Sequence, residues 1–246
     1  MKNCLMFLLL FLTKICFSQN DKIVVTYKSL TLDDKDENGC ILYDKGELVT
    51  NNKESLYTET PLDTIVDMVN LGTISTIDYK YKFTYYKDLK NKTILQDRSY
   101  GMKQIIKDDN YKINWTITKN TKYVLSYICQ EAVGSFRGRE YKAYFLKDIP
   151  ISNGPFKFDG LPGLILEVQS TDGAVSIVAT ELLYDEGDIV NPFINIDNKK
   201  WTDFISFYKK YFEKVSNHTL EDGLSISVPN RYIESFTKEW DLKFIL

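Results

Sequence analysis

Histidine is nearly missing from this chain: His218 is the only one in 246 residues. Zinc centres built on two or three imidazoles are thereby excluded. Any Ser–His or Cys–His nucleophile would depend on that one residue, in the polar run Ser216-Asn217-His218-Thr219. Neither a Gly-x-Ser-x-Gly elbow nor a P-loop occurs. A basic excess is also lacking, with 31 Lys and Arg against 34 Asp and Glu. That balance argues against nucleic acid as a partner. The chain has 6 prolines and 4 cysteines, and no cofactor motif.

Long apolar runs are confined to the start. Lys2 precedes the apolar stretch Leu5–Leu12, and Cys16-Phe17-Ser18-Gln19 leads into a polar sequence. A run this short reads as a secretory signal over residues 1–19, because a membrane span needs about 20 residues. Ile15 and Lys14 before Cys16 speak against lipidation. Cleavage near Gln19 removes Lys2 and Lys14, leaving 29 basic against 34 acidic residues, a balance of −5. Residues 20–246 then form one domain with no further span. Two cysteines remain, Cys40 and Cys129. In an exported chain such a pair is compatible with one disulfide, the alternative being two buried thiols.

What the sequence has in quantity is β-branched and aromatic residues, including 17 Tyr and 14 Phe. Period-two alternation predicts strands over Ile23–Leu32, Cys40–Tyr43, Leu48–Thr58, Ile77–Lys87, Lys92–Tyr100, Met102–Lys107 and Tyr111–Thr118. Lys45-Gly46 and Asn51-Asn52 read as turns. Further strands are expected at Tyr123–Val133 and Glu140–Leu146, a hairpin around Gly134–Arg139. Leu164–Gln169 and Ala174–Leu183 form another around Ser170–Gly173. Short turns between neighbours favour an antiparallel meander. Leu62, Ile65, Val66 and Val69 sit at helical spacing within Pro61–Gly72. From about residue 198, Trp201, Phe204, Ile205, Tyr208, Phe212 and Val215 mark one helix face, and Asn230–Trp240 reads as a second helix. Asp185–Asp197 is the best hinge between the two parts. The predicted fold is therefore mainly β (α+β), a curved antiparallel sheet or half-barrel with one or two C-terminal helices packed against it.

Residues 148–167 concentrate three prolines (Pro150, Pro155, Pro162) and three glycines (Gly154, Gly160, Gly163) among apolar neighbours. Proline fixes φ and glycine opens positive φ, so this stretch is a rigid, inward-packing loop feeding a strand. It reads as a buried corner joining two parts of a sheet, or alternatively as a contact surface formed by Gly154, Pro155, Phe156, Gly160, Leu161, Pro162 and Gly163.

Gly160-Leu161-Pro162-Gly163-Leu164-Ile165 spells GLPGLI, and with it the stretch resembles the GLPGLI family of Bacteroidota cell-envelope proteins. Tyr127-Ile128-Cys129-Gln130-Glu131-Ala132, Asp148-Ile149-Pro150-Ile151 and Gly154-Pro155-Phe156-Lys157-Phe158 resemble that family's other motifs. The likeness runs from about Lys122 to Val178. It implies an exported envelope protein, in the periplasm or at the outer membrane, associated with TonB-dependent receptors. It brings no activity with it.

Candidate chemistry is sparse. Asp34, Asp36, Asn38 and Gly39 fit the opening of a calcium loop, but Lys45 stands where the bidentate glutamate belongs, so a solvated turn is expected. Phe136, Arg137 and Arg139, with Lys142, form a basic hairpin tip expected to be exposed and able to dock an acidic partner. The expected function is that of a non-enzymatic binding or accessory protein without cofactor or metal, its partner an outer-membrane receptor. A carrier holding an apolar small ligand in a half-barrel groove is the first alternative, and an envelope hydrolase using two unassigned carboxylates is the second.

Overall fold

A computed structural model describes residues 21–33, 40–62, 65–68, 73–76, 82–97, 105–109, 111–197, 201–207 and 209–210. The leader, the acidic turn Asp34–Gly39, His218 and the expected helix Asn230–Trp240 lie outside them.

Strands dominate. The first group is β1 (Asp21–Asp33), β2 (Cys40–Thr50), β3 (Glu54–Pro61), the small hairpin β4 (Ile65–Met68) and β5 (Thr73–Thr76), then β6 (Phe83–Asp88), β7 (Thr93–Asp97) and β8 (Ile105–Asp108). The second is β9 (Asn114–Val124), β10 (Tyr127–Phe136), β11 (Arg139–Leu146), β12 (Leu164–Ser170) and β13 (Val175–Glu186), followed by β14 (Trp201–Asp203). One 12-stranded sheet holds all but the β4–β5 hairpin, in the order β14-β8-β7-β6-β3-β2-β1-β13-β12-β11-β10-β9. It consists of two meanders joined where β1 pairs antiparallel with β13. Only β14 runs parallel to its neighbour, β8.

The order forces curvature. β8 stands second and β9 last, ten strand spacings apart, which in a flat sheet is about 48 Å. Yet only residues 109–113 link them, and such a stretch reaches about 20 Å at full extension. The sheet must therefore curl until its two ends approach, and Arg137 Nη2 at the β10–β11 turn duly lies 2.8 Å from Asp108 Oδ1 at the end of β8. Ile23, Val25 and Tyr27 of β1, Tyr57 of β3, Tyr85 of β6 and Tyr141 of β11 point into the curl and are fully buried.

Several sequence expectations are corrected. The helix expected across Pro61–Gly72 is not formed, because Ile65–Met68 is strand paired with Thr73–Thr76. A short apolar run satisfies both periods, and β-branched Ile65 and Val66 settle it as strand. The C-terminal helix does not start at 198: Trp201–Asp203 is strand, and helical residues begin at 204. Lys45-Gly46 is no turn, since β2 runs through it. A Cβ on Gly46 would stand 2.2 Å from Tyr57 Oη, so this glycine makes room for a buried ring. Tyr123–Val133 is two strands, broken at Leu125 (φ 50°) and Ser126 (φ 68°), a tight turn made without glycine.

Candidate functional site

The corner between β11 and β12 lies inside the curl. Leu164 N donates to Ile149 O (3.0 Å) and Ile165 N to Asn153 O (2.8 Å), so its two legs pair with each other. Asn153 and Asp159 face one another in an isolated antiparallel bridge. Phe158 N closes the intervening turn on Pro155 O (3.0 Å), with Phe156 at φ 50°. Phe156 sets its ring edge-on to Tyr85, centroids 5.0 Å apart. Phe158 lies between Tyr141 (4.9 Å) and Phe136 (5.8 Å). Tyr27 Oη donates to Ile165 O (2.7 Å), tying the corner's exit to β1. Of the seven corner residues read as a contact surface, Gly154, Pro155, Phe156, Leu161 and Gly163 are buried, and only Gly160 and Pro162 reach solvent.

Charged groups lie beneath the corner, which the sequence reading did not single out. Lys87 Nζ, wholly buried, donates to Asn153 Oδ1 (2.7 Å), Gly154 O (3.1 Å) and Phe158 O (3.2 Å). Burial pushes its ammonium down to about 7; the Asp159 carboxylate opposes this, while Lys92 and Lys157 add to it. Asn153 Nδ2 donates in turn to Thr50 Oγ1 (2.8 Å). Asp159, also buried, accepts from Tyr111 Oη (3.2 Å). A second group forms where the sheet ends meet: Lys157 Nζ and Arg137 Nη2 flank Asp108 at 2.7 and 2.8 Å. Burial would raise the Asp108 carboxyl, but those two cations outweigh it and hold it below the usual carboxylate range. Phe204 lies against both cations, 3.7 Å from Arg137 Cζ and 4.0 Å from Lys157 Nζ. A sequence signal existed: Lys87 is in phase with Tyr85 on β6, and Lys157 sits between two buried phenylalanines.

The basic tip is not the exposed surface expected. Phe136 is buried against Phe158, Arg137 is drawn inward to Asp108, and Arg139 Nε lies 3.3 Å from Asp172 Oδ2. The cause is the curl, which folds this turn onto the far end of the sheet. Cys129 is a free, fully buried thiol, and the side chain of Cys40 lies outside the described residues. Burial first, then the Glu167 carboxylate, pushes this thiol up to about 11, which makes it a poor nucleophile. Among the described residues no cluster of three or more His, Cys, Asp or Glu could hold a metal. No described helix is long and apolar enough to cross a membrane.

The exposed feature lies at the other margin. β9 is last in the strand order, and among the described strands nothing pairs with its outer side. Most of its side chains are exposed on both faces. Ile117, Tyr123 (70% exposed), Tyr127 and Ile128 (59%) are exposed on it and its hairpin partner, with Tyr123 and Ile128 directly opposite one another. Polar contacts hold this edge in place. Lys122 Nζ lies 2.6 Å from Glu167 Oε1. Glu131 accepts from Asn120 (2.9 Å), Thr118 (2.9 Å) and Tyr144 (3.0 Å), which hold its carboxyl low.

A family model described as "Protein of unknown function (Porph_ging)" matches residues 136–167, which run from the buried Phe136 through the corner to Glu167. No curated protein matches the chain. Among solved structures, PNGF-II in a C2 crystal form superposes with a TM-score of 0.52 at 16% identity, over 79% of this chain and 33% of that one. The same protein in a P21 form gives 0.49 at 15% identity, over 79% and 34%. A putative outer-membrane lipoprotein-sorting protein domain from Vibrio parahaemolyticus gives 0.25 at 8% identity, over 72% and 91%. At such identities the likeness to PNGF-II is one of fold alone, and this chain spans about a third of that protein's length.

Proposed function

We propose that this chain is an exported, non-catalytic binding protein of the Bacteroidota envelope that docks a protein partner along β9. The single observation behind this is the β9 margin: an outer strand with no described neighbour, flanked by exposed Tyr123, Tyr127 and Ile128. Such an edge offers unpaired N–H and C=O groups to an incoming strand, and the apolar side chains beside it add affinity. The partner suggested by the GLPGLI-like motifs is a TonB-dependent outer-membrane receptor. Phe156 and Phe158, both buried beneath the corner, weigh against the carrier alternative.

The test is a pull-down of the tagged mature protein from its own envelope, beside a Tyr123→Lys/Ile128→Lys variant. A receptor recovered in near-equal amount by the parent and lost by the variant is the expected result. Recovery of a clean monomer from mildly solubilised envelope overturns the reading, and a stoichiometric lipid without protein would favour the carrier instead.

A further inference from the structure

The surroundings of Lys87 are unusual for an ammonium. It is fully buried, yet its three hydrogen-bond acceptors are all neutral oxygens: one side-chain amide and two backbone carbonyls. A charge so placed pays heavily for lost hydration, so the amine form is favoured. A neutral amine has two N–H donors and one lone pair. Gly154 O and Phe158 O can take the two hydrogens, and Nζ then abuts the Asn153 amide, 2.7 Å from its Oδ1.

We propose that Lys87 and Asn153 join in an intramolecular isopeptide bond, with Asp159 relaying the proton. Lys87 Nζ attacks Asn153 Cγ, the Nζ–Cγ bond forms and the Cγ–Nδ2 bond breaks. The proton shed by Nζ passes by way of the Asp159 carboxyl to Nδ2, which leaves as ammonia. Atoms balance with no oxidant, reductant or co-reactant, and the electron pair of the broken bond departs with the ammonia.

Four features of the site favour the step. The fold holds amine and amide in contact although they lie 66 residues apart, and such positioning replaces a bimolecular encounter. Thr50 Oγ1 accepts from Asn153 Nδ2 and fixes the amide's orientation. Asp159 pairs backbone to backbone with Asn153 in the isolated bridge, is buried, and is a carboxylate whose charge bears on Lys87. Lys87 and Asn153 are closed off from solvent, so water does not compete for the carbonyl. The product ties β6 to the corner covalently and leaves no ionisable amine at this buried position.

The bond is read by mass. The purified mature chain, denatured, is expected to weigh one ammonia less than its sequence. Proteolysis is expected to give a branched peptide joining Lys87 to Asn153, with no cleavage after Lys87. Cyclisation of an N-terminal glutamine loses the same mass, so the branched peptide decides. Lys87→Arg and Asn153→Ala are expected to regain the full mass, and Asp159→Asn to leave most chains unlinked. Linear peptides ending at Lys87, with Asn153 intact, in full yield from the parent overturn the proposal. A fully linked Asp159→Asn chain overturns the relay assigned to that residue.

Discussion

Two glycines of the corner meet different physical demands. Gly160 has φ +91°, a conformation L side chains rarely adopt, but a Cβ there would find its nearest atoms, on Trp115, at 3.7 and 3.8 Å. Gly163 is the reverse case: its Cβ would stand 2.3 Å from Leu146 O, which is backbone and cannot swing away. Gly160→Ala is thus expected to cost about 1–2 kcal/mol of backbone strain. Gly163→Ala is expected to cost more, about 3 kcal/mol or above, because β11 and the corner must separate. Denaturant unfolding of both variants ranks them, and a Gly163→Ala chain as stable as the parent would sink this account. A string of six letters in the sequence therefore holds one φ requirement and one close approach.

At the scale of elements, the β9–β10 hairpin carries strain that its sequence conceals. Leu125 and Ser126 both have positive φ, where Asn-Gly is the usual solution. Leu125 packs against the core, so its side chain has a second role there, whereas Ser126 is exposed. Ser126→Gly is expected to stabilise the protein by about 0.5–1 kcal/mol, seen as a higher unfolding midpoint in urea. No gain would mean that the turn is held without strain. The same hairpin explains why one continuous strand was expected over Tyr123–Val133: neither leucine nor serine signals a turn, and only pairing across the hairpin exposes it. The helix expected over Pro61–Gly72 failed for a related reason, because periodicity in a short run cannot separate the two states.

For the whole molecule the decisive contact is Asp108, which holds Lys157 of the corner and Arg137 of the far meander to the end of β8. Removing the carboxylate takes away the ion pair that each of these two buried cations makes with it. Asp108→Asn is expected to cost about 3–5 kcal/mol at neutral pH. The pH dependence follows from the lowered native pKa: the contribution is complete above the unfolded carboxyl value of about 4 and is lost as pH falls through the native one. The gap in melting temperature between parent and variant should therefore narrow on acidification below about pH 4. A gap constant down to the acid limit would show that Asp108 does not carry this closure.

Much was legible from the residues. Period-two alternation found most strands, because most of them have one face in the core and the other towards water. Gly and Pro marked the corner, since proline fixes φ and glycine admits positive φ or a close approach. The hairpin turns at Arg137-Gly138 and Thr171–Gly173 were readable for the same reason. The burial of Phe136, Arg137 and Arg139 was not, because a basic hairpin tip looks the same in sequence whether it meets water or Asp108. Nor was the approach of Lys87 to Asn153, which depends on how far the sheet curls. Local backbone preference and side-chain alternation are written in neighbouring residues, so the sequence by itself determined a β-rich chain with a rigid apolar corner. Curvature and the charge pairs it creates join residues tens of positions apart, so only the tertiary structure decided which of them meet.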